Sequence, residues 1–153
     1  MTTARAYVAI GANLGDAHVT VRQAMDALAA LPCTRLVARS SLYRSAPFEA
    51  QGPDFINAVV ELATELGPQA LLAELQRLEA EAGRERPYRN APRTLDLDLL
   101  RHGDVAMRTA TLTLPHPRIG ERAFVLLPLA EIAPEEVTSA ELAQVAGQRI
   151  ERL

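Results

Sequence analysis

The chain has 153 residues, 48% hydrophobic and 23% charged, with 8 Gly and 10 Pro. That composition excludes disordered, collagen-like and disulfide-scaffold proteins and suits one domain over 1–153, burying roughly 70% of the unfolded surface. The formal charge of −3 argues against a nucleic-acid partner, which calls for a net basic surface.

Ala6 to Ile10 is a short apolar run halted at Gly11-Ala12-Asn13-Leu14-Gly15-Asp16, which predicts a buried strand and a turn. A helix begins near Asp16, since Val21, Met25, Leu28 and Leu31 recur at helical spacing until Pro32. Leu36 to Tyr43 predicts a second strand and Asp54 to Thr64 a third, paired as a hairpin across a Pro/Gly-punctuated loop. Alternation assigns Ile56, Ala58, Val60 and Leu62 to the core, and Phe55, Asn57, Val59 and Glu61 to the opposite face. Pro68 opens a helix with Leu71, Leu72, Leu75, Leu78 and Ala82 on its apolar face, and Gly83 ends it. Glu79 falls on or beside that stripe, an unexpected place for a carboxylate. Then come a strand from Leu95 to about Leu100, a short strand at Leu112 to Leu114, an apolar segment Phe124 to Leu129, and a helix around Leu142 to Ile150. Without a regular βαβ rhythm, this order predicts an α+β fold: a ferredoxin-like α/β sandwich, its sheet mostly antiparallel, with helices on its faces.

No apolar run reaches the ~18 residues of a membrane span, and the N-terminus has no basic-then-apolar leader, so no membrane contact is expected. Cys33 is the only cysteine, which excludes an internal disulfide and a Cys-based zinc cluster and suits a reducing, cytoplasmic setting. Neither GxxxxGK nor GxGxxG occurs, leaving a P-loop or Rossmann nucleotide site without support.

The strongest chemical signal is Thr94-Leu95-Asp96-Leu97-Asp98-Leu99. On a strand, Asp96 and Asp98 project from one face with α-carbons ~6.5 to 7 Å apart. Two such carboxylates repel unless a cation lies between them, and Mg²⁺ takes one or two carboxylates plus substrate phosphates. The alternative is the solvent-facing side of an edge strand. Just upstream, Arg84, Arg86, Arg89 and Arg93 face only Glu85 in charge, on a loop with Pro87 and Pro92. Guanidinium groups bind phosphate oxygens in bidentate fashion, so phosphoryl transfer accounts for both features, whereas a solvated basic loop accounts for one. All 16 basic residues are arginine, however, so an arginine at one place is not itself a sign of bidentate recognition. His116 is held between Pro115 and Pro117, as a structural or a functional imidazole; His18 and His102 lack context and read as surface. Asn57 in an apolar run is either a structural amide or a reader of a flat heterocycle.

Taken together, Ala9-Ile10-Gly11-Ala12-Asn13-Leu14-Gly15, Tyr43-Arg44-Ser45, Phe55-Ile56-Asn57-Ala58-Val59, Glu79, Gly83-Arg84-Glu85-Arg86, Pro92-Arg93-Thr94-Leu95-Asp96-Leu97-Asp98, Pro115-His116-Pro117 and Arg122-Ala123-Phe124 resemble the 6-hydroxymethyl-7,8-dihydropterin pyrophosphokinase family of folate biosynthesis, from about Tyr7 to Pro134. The resemblance implies diphosphate transfer from ATP to the pterin hydroxymethyl group with release of AMP, two Mg²⁺ ions, a ferredoxin-like fold and a monomer. It implies that Asp96 and Asp98 bind metal, and that Arg86 and Arg93 contact the triphosphate and act with them in catalysis. Glu79, Arg84, His116 and Arg122 are implied to bind nucleotide, and Ser45, Phe48, Phe55, Asn57 and Phe124 to line the pterin pocket. Phe55 replaces a familiar tyrosine, Asn90 a frequent tryptophan, and the arginine loop is one residue shorter than in some members. Rival readings are a non-catalytic metal- or nucleotide-sensing module and a phosphohydrolase with water as nucleophile.

Overall fold

A computed structural model describes residues 3–47, 52–83 and 95–153. The chain runs β1 (Ala4–Ala12), α1 (Ala17–Ala29), β2 (Thr34–Arg39), β3 (Tyr43–Ser45), β4 (Phe55–Thr64), α2 (Pro68–Gly83) and β5 (Asp96–His102). A small hairpin of β6 (Met107–Arg108) and β7 (Thr113–Leu114) follows, then α3 (Ala123–Ile132), α4 (Ser139–Gln144) and β8 (Ile150–Arg152). The main sheet has the order β5-β1-β4-β3-β8, with β2 also on β4, and every described pairing is antiparallel. With β2 and β3, which pair with successive parts of β4, counted as one interrupted strand, the order up to β5 is the βαββαβ arrangement of the ferredoxin-like fold, as the sequence predicts.

Local signals explain the helices of the first half. Asp16 caps α1 by accepting the Val19 N–H at 3.3 Å. Helix α2 (Pro68–Gly83) begins as expected at Pro68, whose missing N–H is harmless in a first turn. Both helices pack on one face of the sheet, where Val21, Leu28, Leu71 and Leu75 meet Val8, Ile10, Ala58, Val60 and Leu62 in one buried cluster.

Four expectations need correction. The second strand is two, β2 and β3, because the Ser40 hydroxyl takes the Val59 N–H at 3.0 Å where a ladder carbonyl would otherwise serve. The Phe55/Asn57/Val59/Glu61 face of β4 is also core in part, since α3 lies on it and buries Val59 with Tyr7, Ala9, Leu126 and Leu129. The final helix stops at Gln144, and Ile150 to Arg152 pair with β3 instead. His102 is buried rather than superficial: the register shifts opposite Tyr7/Val8, and the ring meets the Leu66 carbonyl at 2.7 Å through Nε2.

Candidate active site

Helix α3 covers only part of its face of the sheet. Beyond its first turn a cleft of about 260 Å³ remains, lined by Gly11 of β1, Ser45 of β3, Phe55 and Asn57 of β4, Asp96 and Asp98 of β5, and Arg118, Arg122 and Phe124. Strand register brings these together: Gly11 lies between Asn57 and Asp96, and Tyr43, two residues before Ser45, lies opposite Asn57.

Asn57 is 3% exposed, and its Nδ2 donates to Ser45 Oγ at 2.7 Å. This bond orients the carboxamide, whose Oδ1 lies 3.4 Å from where a Cβ at Gly11 would sit. A glycine at that register position keeps the amide and the Phe55 ring clear of the β1 backbone. Phe124 lies in the first turn of α3, and the Arg122 guanidinium lies 5.5 Å from the centre of its ring.

Asp98 is the charged centre of the site. Arg122 Nη1 is 3.8 Å from its Oδ2 and His116 Nε2 is 3.9 Å from its Oδ1, too long for direct hydrogen bonds. The His116 backbone N–H donates to the Leu100 carbonyl at 2.8 Å, which docks the Pro-His-Pro segment on β5. Its Nδ1 accepts the Arg118 N–H at 3.2 Å, so the ring proton sits on Nε2, towards Asp98. Burial pushes the His116 pKa below its ordinary value; Asp98 pulls it up, and Arg122 and Arg118 push it down. The imidazole is therefore neutral at pH 7. A second cleft, of about 290 Å³, lies across Asp98, between Leu72, Leu97, Leu99, the 109–113 stretch and His116. Asp98 borders both.

Glu79 lines neither cleft. Its Oε2 accepts the Leu97 N–H at 2.9 Å, closing the free edge of β5 between the two aspartates. That contact explains a carboxylate on the apolar stripe of α2. Phe48, Arg84, Arg86, Arg89, Asn90 and Arg93 lie outside the described residues. Arg118, which none of the motifs above contains, also lines the first cleft; its spacing of four from Arg122 is the signal for it in the sequence.

As candidate metal ligands, Asp96 and Asp98 are two hard oxygen donors on one face of β5, and the described residues hold no cluster of three or more His, Cys, Asp or Glu suited to a metal. A pair of carboxylates fits Mg²⁺, which keeps waters and takes substrate phosphate oxygens at its other positions.

Residues 7–134 match the family described as 7,8-dihydro-6-hydroxymethylpterin-pyrophosphokinase. The chain belongs to this family. It is 48% identical over 132 residues to the 2-amino-4-hydroxy-6-hydroxymethyldihydropteridine pyrophosphokinase of Pseudomonas aeruginosa, covering 86% of this chain and 82% of that one. The Methylorubrum extorquens enzyme of the same name is 42% identical over 148 residues, covering 96% of this chain and 94% of that one. Among solved structures, a Plasmodium falciparum HPPK-DHPS superposes with a TM-score of 0.69 at 14% identity, over 88% of this chain and 40% of that chain. Another HPPK-DHPS, solved in complex with substrates, gives 0.72 at 13% identity, over 88% and 41%. The chain thus spans about two-fifths of those solved chains, and the likeness bears out the fold. Its activity is pyrophosphoryl transfer to hydroxymethyldihydropterin in folate biosynthesis, with ATP as co-substrate. No described helix is long and apolar enough to cross a membrane.

Proposed function

We propose that the first cleft receives the pterin, that the second receives the nucleotide, and that the transfer takes place at Asp96 and Asp98 between them. The observation that carries this reading is Asp98 bordering both clefts. In the first cleft, a flat ring stacks between Phe55 and Phe124 while Asn57, oriented by Ser45, pairs with its amide-like edge. The hydroxymethyl end then faces the aspartates. Arg122 and Arg118 are placed to neutralise phosphate oxygens, and the neutral His116 offers its Nε2–H as a donor on the nucleotide side. Arg84, Arg86 and Arg93 are expected to contact the triphosphate, as the family motif implies, and Glu79 acts by holding β5 in place.

Asp96 and Asp98 would hold two Mg²⁺ ions. When bound, Mg²⁺ neutralises the triphosphate and lowers the pKa of the substrate hydroxyl. The chain's own part is alignment: β1, β4 and β5 fix pterin and carboxylates on one rigid face, so that hydroxyl and β-phosphorus meet in line. The bond from that phosphorus to the α,β-bridging oxygen breaks, AMP leaves, and the hydroxyl proton passes to solvent. We place this activity in the cytoplasm, in a monomer acting as one unit over 1–153.

The test is the product. Incubation with ATP, Mg²⁺ and 6-hydroxymethyl-7,8-dihydropterin should yield AMP, with ADP and free phosphate at background. Asp98→Ala should lower turnover by about 100-fold or more with an unchanged melting midpoint. ADP or phosphate as the main product would refute the reaction, and near-normal turnover of Asp98→Ala would refute the site.

A further inference from the structure

The C-terminal segment lies past residue 134, where the family match ends. Val145, 2% exposed, is part of the core under α3 and anchors the turn that follows α4. From this turn Gln148 reaches back across the molecule. Its Oε1 accepts the Ala123 backbone N–H at 2.9 Å, and its Nε2 donates to the Glu121 carbonyl at 2.8 Å. The two bonds grip the chain on either side of Arg122. Arg122 stands at the N-cap of α3 and makes no side-chain capping bond. Gln148 therefore supplies, from 25 residues away, an acceptor for one of the orphan amides of that helix start.

What Gln148 fixes is the part of α3 that faces substrate. Arg122 approaches Asp98 at 3.8 Å, and Phe124 forms a wall of the first cleft. Two residues further on, β8 joins β3, with Ile150 opposite Ser45, whose hydroxyl orients Asn57. One short segment thus ties together the two cleft walls that come from distant parts of the chain. A hollow of about 160 Å³ between Phe124, Ser45 and Gln148 lies directly behind those walls.

We propose that residues 145–152 are a working part of the pterin site and that Gln148 is its positioning residue, holding Arg122 and Phe124 in register with β3. This rests on the placement of the pterin in the first cleft. The experiment is initial-rate kinetics on two variants of the full chain. Gln148→Met keeps the side-chain length and apolar stem but removes both hydrogen bonds; Gln148→Glu keeps an acceptor for Ala123. Gln148→Met should raise the pterin KM about five- to tenfold, because only part of the loss of two hydrogen bonds is felt at the cleft wall, with a smaller fall in kcat. Gln148→Glu should lie closer to the unmodified chain. A pterin KM for Gln148→Met within about twofold of the unmodified value, or equal impairment of the two variants, overturns the proposal. Amide hydrogen exchange on the unmodified chain gives a test that needs no variant: the Ala123 N–H should be protected without substrates, and free exchange overturns the proposal. Asn57→Leu, measured alongside, separates the two readings, because an unchanged pterin KM there would displace the cleft itself rather than Gln148.

Discussion

Gly11 lines the first cleft beside the Asn57 amide and the Phe55 ring. A Cβ there would sit 3.4 Å from Asn57 Oδ1 and 3.8 Å from the Phe55 ring, while the β1 backbone is ordinary extended strand that alanine adopts freely. Gly11→Ala should therefore fold normally, its methyl resting against the Asn57 amide and the Phe55 ring and taking up room in the first cleft that Gly11 lines. Pterin affinity should fall about three- to tenfold, by ~1.4 kcal/mol per decade, with affinity for a non-hydrolysable ATP analogue unchanged. Isothermal titration with each ligand decides it, and equal losses would make Gly11 a folding residue only. At this scale the sequence was informative wherever alternation sufficed. Asp96 and Asp98 share a face of β5, and Asn57 is indeed set apart from Ile56 and Ala58. Gln148 could not be read in that way. A glutamine in a polar stretch carries no local mark of the helix start that it meets 25 residues back.

Among elements, α3 depends most on long-range contacts. It is apolar nearly all round and contains Pro128, so neither periodicity nor a helix-forming run reveals it in the sequence. By contrast α2 is legible from its start at Pro68 and from the spacing of Leu71, Leu75 and Leu78. Helix α3 is tied to β3 by one carboxylate. Glu131 accepts the Ser41 N–H at 3.0 and 3.1 Å, the Ser41 hydroxyl at 3.0 Å and the Tyr43 hydroxyl at 2.7 Å, with Arg152 Nη2 at 3.5 Å. Burial alone would raise the Glu131 pKa, but the Tyr43 and Ser41 bonds and the Arg152 charge outweigh it and hold the carboxyl below its ordinary value. The Tyr43 phenol is pushed up to about 12, chiefly by burial and then by the same bond. A carboxyl whose pKa is lowered by folding stabilises the fold above its unfolded value of ~4.3, and that contribution disappears as pH falls through the folded value. Glu131→Gln should thus cost about 1 to 2 kcal/mol at neutral pH, and the gap from the unmodified chain should narrow progressively as the pH falls below the unfolded value of ~4.3. Urea titrations at neutral pH and across that acid range measure it. A gap independent of pH would mean that the carboxylate charge contributes nothing.

For the whole molecule, the sheet separates two cores with different duties. One lies under α1 and α2, on the side of the sheet away from the first cleft; the other lies under α3, whose first turn is a wall of that cleft. The first is legible in sequence because its residues recur within single helices and strands. The second is not, since Tyr7, Val59 and Leu126 meet only after β1, β4 and α3 have been brought together from distant parts of the chain. Leu28 of α1 and Leu126 of α3 are both fully buried, at 0% exposure, which makes them a matched pair for separating stability from function. Replacing either with alanine should cost about 2 to 5 kcal/mol through lost burial and an unfilled cavity. The kinetic consequences should diverge. Leu28→Ala leaves the cleft face of the sheet untouched, so its kcat/KM for pterin, measured well below the lowered melting temperature, should match the unmodified chain. Leu126→Ala opens a cavity one turn behind Arg122 and Ala123, lets the start of α3 settle towards the sheet, and shifts Phe124 with it. Its pterin KM should rise several-fold at equal loss of stability, because a small displacement of a stacking wall is enough to weaken contact with a flat ring. Equal kinetics for two equally destabilised variants would show that α3 is held in place by its caps and strands alone, with no contribution from the core beneath it.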